Sequence, residues 1–360
     1  MTRTVPGGTA TPDHRSRAFA VTSRYAAFLL ALLAASSCQV RVQRVPKPEP
    51  VATLRVAEVR RVSDRVATSN ASWSPDGLLA FGTAEGVVAV APDGTERRIS
   101  TLPAVTQLDW SRAGRWVAVV SAGGLWVVDL AKATTRRVEL PGVVRAFRWG
   151  PTGDRGVAVV EDRGVWLWLV SAEAGLRRQV FGPAPALYDL GWYPDGLYAF
   201  VRAEDASGKT VALWRVRVAG PDRRRTPAPF PSVVQAQLSP TGRAVAYLVA
   251  EESGVALVVH VAGHRPGKAV ARGQRLWGLS WSPQGDKLSY AEVEGEERTT
   301  VWVLDADGST RLRVADYALE FPDPGAVVGT QWSWDGRAVA FGTSFGVRAG
   351  PVWVARLERR

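Results

Sequence analysis

The chain has 360 residues, 46% of them hydrophobic, and a formal charge of +11 from 45 basic and 34 acidic residues. That length can bury a large core in a single domain, while 35 glycines and 23 prolines favour many turns over long helices. One cysteine excludes a disulfide framework, and three histidines leave little for histidine-based metal sites or general bases.

From the N-terminus, residues 1–37 read as an export signal, with a basic start leading into the apolar run Tyr25–Ala35. Eleven residues are too few to cross a bilayer, which takes about 20. Ser36-Ser37-Cys38 then resembles the bacterial lipoprotein signal, in which the cysteine takes a diacylglyceryl group and becomes the new N-terminus; Ala35 stands where that signal usually has leucine. A chance cysteine beside an ordinary cleavage site is the competing reading. Met1 is the only methionine, and a start at Val21 would leave Arg24 as the one positive charge before the apolar core. Either start gives the same mature chain, with a charge of +8 once Arg3, Arg15, Arg17, Arg24 and Asp13 are removed.

Residues 38–52 form a tether in which Pro46, Pro48 and Pro50 favour polyproline II, a semi-rigid spacer extending about 3.1 Å per residue. The segment Val59–Ser63 looks like a strand with no partner of its own. Residues 53–360 are then organised by a pentad that occurs seven times, starting at Trp73, Trp110, Trp149, Trp192, Leu238, Trp281 and Trp332 at a mean spacing of about 43 residues. Trp73-Ser74-Pro75-Asp76-Gly77 shows its chemistry: proline presets φ, aspartate bonds the backbone and glycine accepts positive φ, so each pentad is a hairpin corner. Alternating residues precede it, a continuous apolar run such as Leu78–Phe81 or Trp116–Val120 follows, and then come a Val/Trp-rich run and a shorter basic one such as Arg97-Arg98-Ile99.

Four strands with an apolar middle pair describe a propeller blade, which hides its faces only against neighbours. The expected fold is therefore all-β, a seven-bladed β-propeller of four-stranded antiparallel blades. The seventh unit stops after its third strand near Leu357, so the orphan segment 59–63 is expected to supply the fourth and close the ring. Most of the 15 tryptophans are expected between blades. The basic residues are dispersed, as in Arg223-Arg224-Arg225, so nucleic-acid binding is not expected; solvated outer edges or a mild attraction to anionic lipid accounts for them.

Three motifs are set aside. Gly342-Thr343-Ser344-Phe345-Gly346 matches a serine-hydrolase elbow, but no helix-forming stretch follows and it aligns with the turn at Phe81–Gly86. His260 and His264 do not share a strand face. Asp76, Asp195 and Asp335 are turn residues without the density of a calcium loop. No catalytic residue, metal site or cofactor is assigned. The site candidates are inner-strand residues converging on a channel mouth: Asn70, Gln107, Asp189 and Gln235 three residues before their pentads, with Arg145, Tyr188 and Trp277 one residue earlier. In that register blades 3, 6 and 7 carry Ala146, Gly278 and Gly329. A peptide or small polar ligand would suit such a mouth, as would water alone.

The repeat resembles the TolB-type (WD40-like) propeller repeat over residues 59–357, and a lipidated propeller is similar to the C-terminal part of the LpqB lipoproteins. The N-terminal domains of both families have no counterpart here. The resemblance implies a non-enzymatic, extracytoplasmic scaffold, lipid-anchored to a bacterial membrane and monomeric, with an envelope protein or peptide as partner. The alternative is a propeller lyase or hydrolase with its active site at the channel mouth.

Overall fold

The second and third strands of most repeats are largely apolar on both faces, and Leu79–Thr83, Gly86–Val90 and Trp116–Ser121 are buried throughout. Such a strand needs a cover on either side. The computed structural model supplies it by arranging seven four-stranded antiparallel sheets in a ring, as the sequence predicts. It describes residues 49–151, 153–173, 175–205, 211–227, 232–263, 267–294, 298–316, 326–345 and 348–360. The export signal, Cys38, Pro46, Pro48, His264 and Gly346 lie outside these residues. The chain divides into Met1–Arg44 and Val45–Arg360, and the ring lies in the second unit.

Strands are lettered a to d from the innermost outwards. Blade 1 comprises Ser72–Trp73, Leu79–Thr83, Gly86–Val90 and Glu96–Ser100, and blade 2 Val105–Trp110, Trp116–Ser121, Gly124–Asp129 and Thr134–Val138. Blade 3 is Val143–Trp149, Arg155–Glu161, Val165–Ser171 and Arg177–Ala184; blade 4 is Leu187–Trp192, Tyr198–Glu204, Val211–Arg217 and Arg223–Pro227. Blade 5 is Val233–Leu238, Ala244–Glu251, Gly254–Val261 and Lys268–Gly273; blade 6 is Arg275–Trp281, Lys287–Glu294, Arg298–Asp305 and Arg311–Asp316. Blade 7 takes Ala326–Trp332, Ala338–Phe345 and Arg348–Arg359 from the C-terminus and Leu54–Arg61 from the N-terminus. The core lies between blades: Ala80, Val87 and Ala89 of blade 1 pack against Leu108, Trp110 and Val117 of blade 2, and Phe200 and Leu213 of blade 4 against Val233 and Tyr247 of blade 5.

Each pentad is the a–b turn, and outside blade 3 it is closed by an N–H from its glycine to the carbonyl of the second pentad residue, as in Gly114 to Ser111 at 2.9 Å and Gly285 to Ser282 at 2.9 Å. The glycines sit at positive φ, +75° at Gly114 and +72° at Gly285, where a Cβ would strain the turn. The serine does more than the sequence shows. Its buried hydroxyl accepts an N–H from the residue opening strand b, Trp116 onto Ser111 at 2.9 Å, Lys287 onto Ser282 at 3.0 Å and Ala338 onto Ser333 at 2.8 Å.

Neighbouring blades are fastened at two radii. Near the axis the pentad indole donates to the carbonyl just before the preceding blade's pentad: Trp149 to Asp109 at 2.9 Å, Trp192 to Arg148 at 3.2 Å and Trp281 to Gln237 at 3.1 Å. At the rim, a basic residue of strand d donates to the turn after strand c of the next blade, Arg60 to the Pro92 carbonyl at 3.0 Å and Lys268 to that of Asp307 at 2.6 Å, with Arg136 to Ala172 and Arg178 to Val218 in the same place. Strand d is basic because a long cation can reach across the gap between sheets there.

The ring closes through Leu54–Arg61, antiparallel to the last strand from Leu54 opposite Arg359 to Arg61 opposite Trp353. This closing strand starts earlier than the sequence suggests and ends before Val62 and Ser63. The reason is apolar: Val51 and Leu54 are buried in the core shared by blades 6 and 7. Inside, Trp73 donates to the Gln331 carbonyl at 3.3 Å and Trp334 to that of Trp73 at 2.8 Å, so the blade 7–blade 1 joint carries indole bonds in both directions.

Candidate functional site

Strand a of most blades carries one residue more than its partner can pair. The ladder skips Thr106 in blade 2, Arg145 in blade 3, Tyr188 in blade 4, Val234 in blade 5 and Val328 in blade 7, always four residues before the pentad. A bulge leaves its extra residue unpaired and re-aims the side chain, and Thr106, Arg145, Tyr188 and Val234 are all exposed. In blade 6 the irregularity falls after Trp277, where Gly278 adopts φ +63° and a Cβ on it would come within 2.8 Å of the Gly329 backbone.

The candidates of the other register go elsewhere. Asn70 accepts from the Leu108 N–H at 3.1 Å and donates to its carbonyl at 3.0 Å, and Gln107 does the same to Phe147 at 3.0 and 3.1 Å. Asp189 accepts from Ala236 N–H at 2.8 Å. These polar atoms stitch one inner strand to the next. One residue before the pentad the pattern repeats, with Trp110 N–H on Ser72 Oγ at 3.2 Å and Trp149 N–H on Asp109 at 2.9 Å. Gln235 and Trp277 are half-buried, and the Trp277 indole N–H has no hydrogen-bond partner among the described residues.

The open ends of the inner strands of blades 3 to 5 therefore present Arg145 and Tyr188 together with Val143 and Val234; Val143 is 42%, Tyr188 48% and Val234 51% exposed. Beneath them Arg202 is buried, paired with Asp189 through Nε and donating from its other nitrogens to the Val233 and Val234 carbonyls at 2.9 and 2.8 Å. The Tyr188 ring lies 4.6 Å from that guanidinium, and its hydroxyl donates to Glu204. Burial pushes the Asp189 carboxyl above its usual range against the pull of Arg202, and the bond to Glu204 holds the Tyr188 phenol above its own. Arg145 pairs with Glu161 at 2.6 Å in the open. Glu161, Glu204 and Arg202 escape the sequence reading, although Glu161, Glu204 and Glu251 all end strand b, 12 or 13 residues past their pentad starts.

Tyr188 is thus fixed from below by a cation and from the side by an acceptor, an aromatic held rigid at a solvent-facing site. Among the described residues no group of three or more His, Cys, Asp or Glu side chains could hold a metal ion. Ser344 lies in strand b of blade 7, paired with the third strand.

No protein-family model matches the chain, and no curated protein matches it in sequence. Solved structures do. TolB from Acinetobacter baumannii aligns at a TM-score of 0.51 with 14% identity, over 74% of this chain and 64% of that one, so the chain spans less than two thirds of the TolB chain. An oligogalacturonate lyase in complex with manganese aligns at 0.63 with 12% identity over 84% of this chain and 95% of that one. Kuenenia stuttgartiensis hydrazine synthase aligns at 0.57 with 14% identity over 83% and 97%. Likeness at such identities speaks for architecture, and it agrees with the ring of sheets: the chain has the fold of a TolB-like, seven-bladed β-propeller.

Proposed function

We propose that this protein is a cell-envelope lipoprotein, anchored through Cys38 after removal of residues 1–37, whose propeller binds a protein or peptide partner and catalyses no reaction. The observation that carries the binding site is the bulge register, which turns Arg145, Tyr188 and Val234 of three successive blades into solvent next to Val143. Tyrosine and arginine beside aliphatic surface are the residue types that dominate protein interfaces. The polar atoms of Asn70, Gln107 and Asp189, by contrast, are occupied in holding blades together.

Crosslinking on intact cells followed by mass spectrometry tests this reading. A Tyr188→Ala, Arg145→Ala double variant should lose the partner recovered by the wild type while its melting temperature changes by only about 2–4 °C, the order of one surface interaction. Full recovery of the partner would place the interface elsewhere, and turnover of a substrate that the variant abolishes would favour the lyase or hydrolase alternative. For the anchor, a clickable fatty acid should label the wild type and fail to label Cys38→Ser; label on both, or on neither, removes the lipoprotein reading.

A further inference from the structure

The chain enters the propeller at one defined place. Glu49 pairs with Arg359, Val51 donates its N–H to Asp305 at 3.0 Å, and Arg360 donates its own to the Thr53 carbonyl at 2.8 Å. All of these partners belong to the pentad end of the ring. Leu357 N–H bonds the Arg337 carbonyl, directly after the seventh pentad, at 2.7 Å, and Ala306 N–H that of Asp286, directly after the sixth, at 2.8 Å. Val51 is buried at 1% exposure, so this entry point is held by core packing as well as by polar contacts. The exposed bulge residues Arg145, Tyr188 and Val234 lie toward the opposite ends of their inner strands, which run from that side down to the pentads.

We infer that the pentad face is the surface that lies against the membrane, and that the bulge-register surface is presented away from it. This rests on the anchored reading above. Eleven residue steps separate Cys38 from Glu49, and such a length cannot exceed about 40 Å even fully extended. Bringing the opposite face to the bilayer would first use about 27 Å of it to run alongside a strand of eight residues. That would leave little slack for a chain that must also round the rim of the ring. The pentad face needs no such detour. The occupant of this face is thus a phospholipid surface, set by where the chain emerges and how few residues separate that point from Cys38.

Cys38 is the only thiol of the full chain. Coupling it to a maleimide phospholipid in vesicles therefore fixes the anchor chemically, whether or not cells lipidate it, and separates orientation from anchoring. A fluorophore is then attached by click chemistry to p-azidophenylalanine at Lys132 or Arg243, both exposed on pentad-side turns, or at Asp162 or Glu252, both exposed on b–c turns at the other end. Quenching by a headgroup nitroxide lipid should be at least threefold stronger at Lys132 and Arg243 than at Asp162 and Glu252. Inserting 20 Gly/Ser residues before Glu49 should abolish most of that difference. Equal or reversed quenching in the native-length chain would overturn the orientation, and a difference unmoved by the insertion would overturn the tether as its cause. Failure of fatty-acid labelling at Cys38 in cells would count against the anchor alone.

Discussion

Asp109 and Asp189 occupy the same inner strands yet differ in what surrounds their charge. Asp189 has Arg202 at bonding distance and a backbone N–H, whereas Asp109 has the Trp149 N–H and an Arg148 guanidinium only as near as 3.8 Å. Burial raises the Asp109 carboxyl above its usual range, as it does that of Asp189, with Arg148, the N–H and the Ser72 hydroxyl opposing it. A carboxyl that holds its proton more tightly folded than unfolded favours folding below its unfolded value of 3.8, and this contribution is lost as pH rises through the folded value. Asp109→Asn keeps an acceptor for Trp149 and removes the buried charge. Its melting temperature should exceed the wild type's by about 1–3 °C at pH 7, with the gap closing near pH 3; a variant less stable at pH 7 would show that the carboxylate is net favourable.

At the scale of the blade, the pentad is a turn whose serine acts as a cap. The Ser282 hydroxyl is fully buried, accepts the Lys287 N–H at 3.0 Å and donates to Asp286 at 2.8 Å. Ser282→Ala leaves a buried N–H without its partner, a loss of about 1–2 kcal/mol, to be read from denaturant unfolding; a change under about 0.3 kcal/mol would mean that water replaces the hydroxyl. The sequence shows the serine only as a recurring letter, because its value depends on the N–H five residues on being turned inward. Gly150 takes the same pentad place in blade 3, where a Cβ would come within 3.0 Å of the Arg155 carbonyl and 3.3 Å of the Trp192 ring. The turn's own carbonyl and the neighbouring blade's indole together leave that place to glycine.

At the scale of the whole ring, closure joins the two ends of the chain. The Leu54–Arg61 strand pairs with the last strand along its length, and Val51 and Leu54 are buried with it. Each of those two side chains is worth about 1.5–3 kcal/mol on burial, and the lost ladder adds to that, so deleting residues 51–64 should lower the melting temperature by roughly 10 °C or more. An unchanged melting curve would refute this closure. Because Val51 and Leu54 are buried at the pentad end, one structural element both locks the ring and fixes the end at which the chain enters it.

Blade number, strand order and the closing partner were all legible in the sequence. They follow from short-range chemistry: turn residues at fixed intervals, and apolar runs too brief to be anything but strands that need a cover. The candidate site was legible only by register. Asn70, Gln107, Arg145, Tyr188, Asp189, Gln235 and Trp277 share a short stretch of inner strand, but one extra unpaired residue in most blades separates those that reach solvent, such as Tyr188, from those that bond the next sheet, such as Gln107. A bulge depends on how two strands are paired across space, and the partner strand's count of residues is invisible along one of them. Tertiary structure alone could therefore decide which polar side chains remain available for a partner.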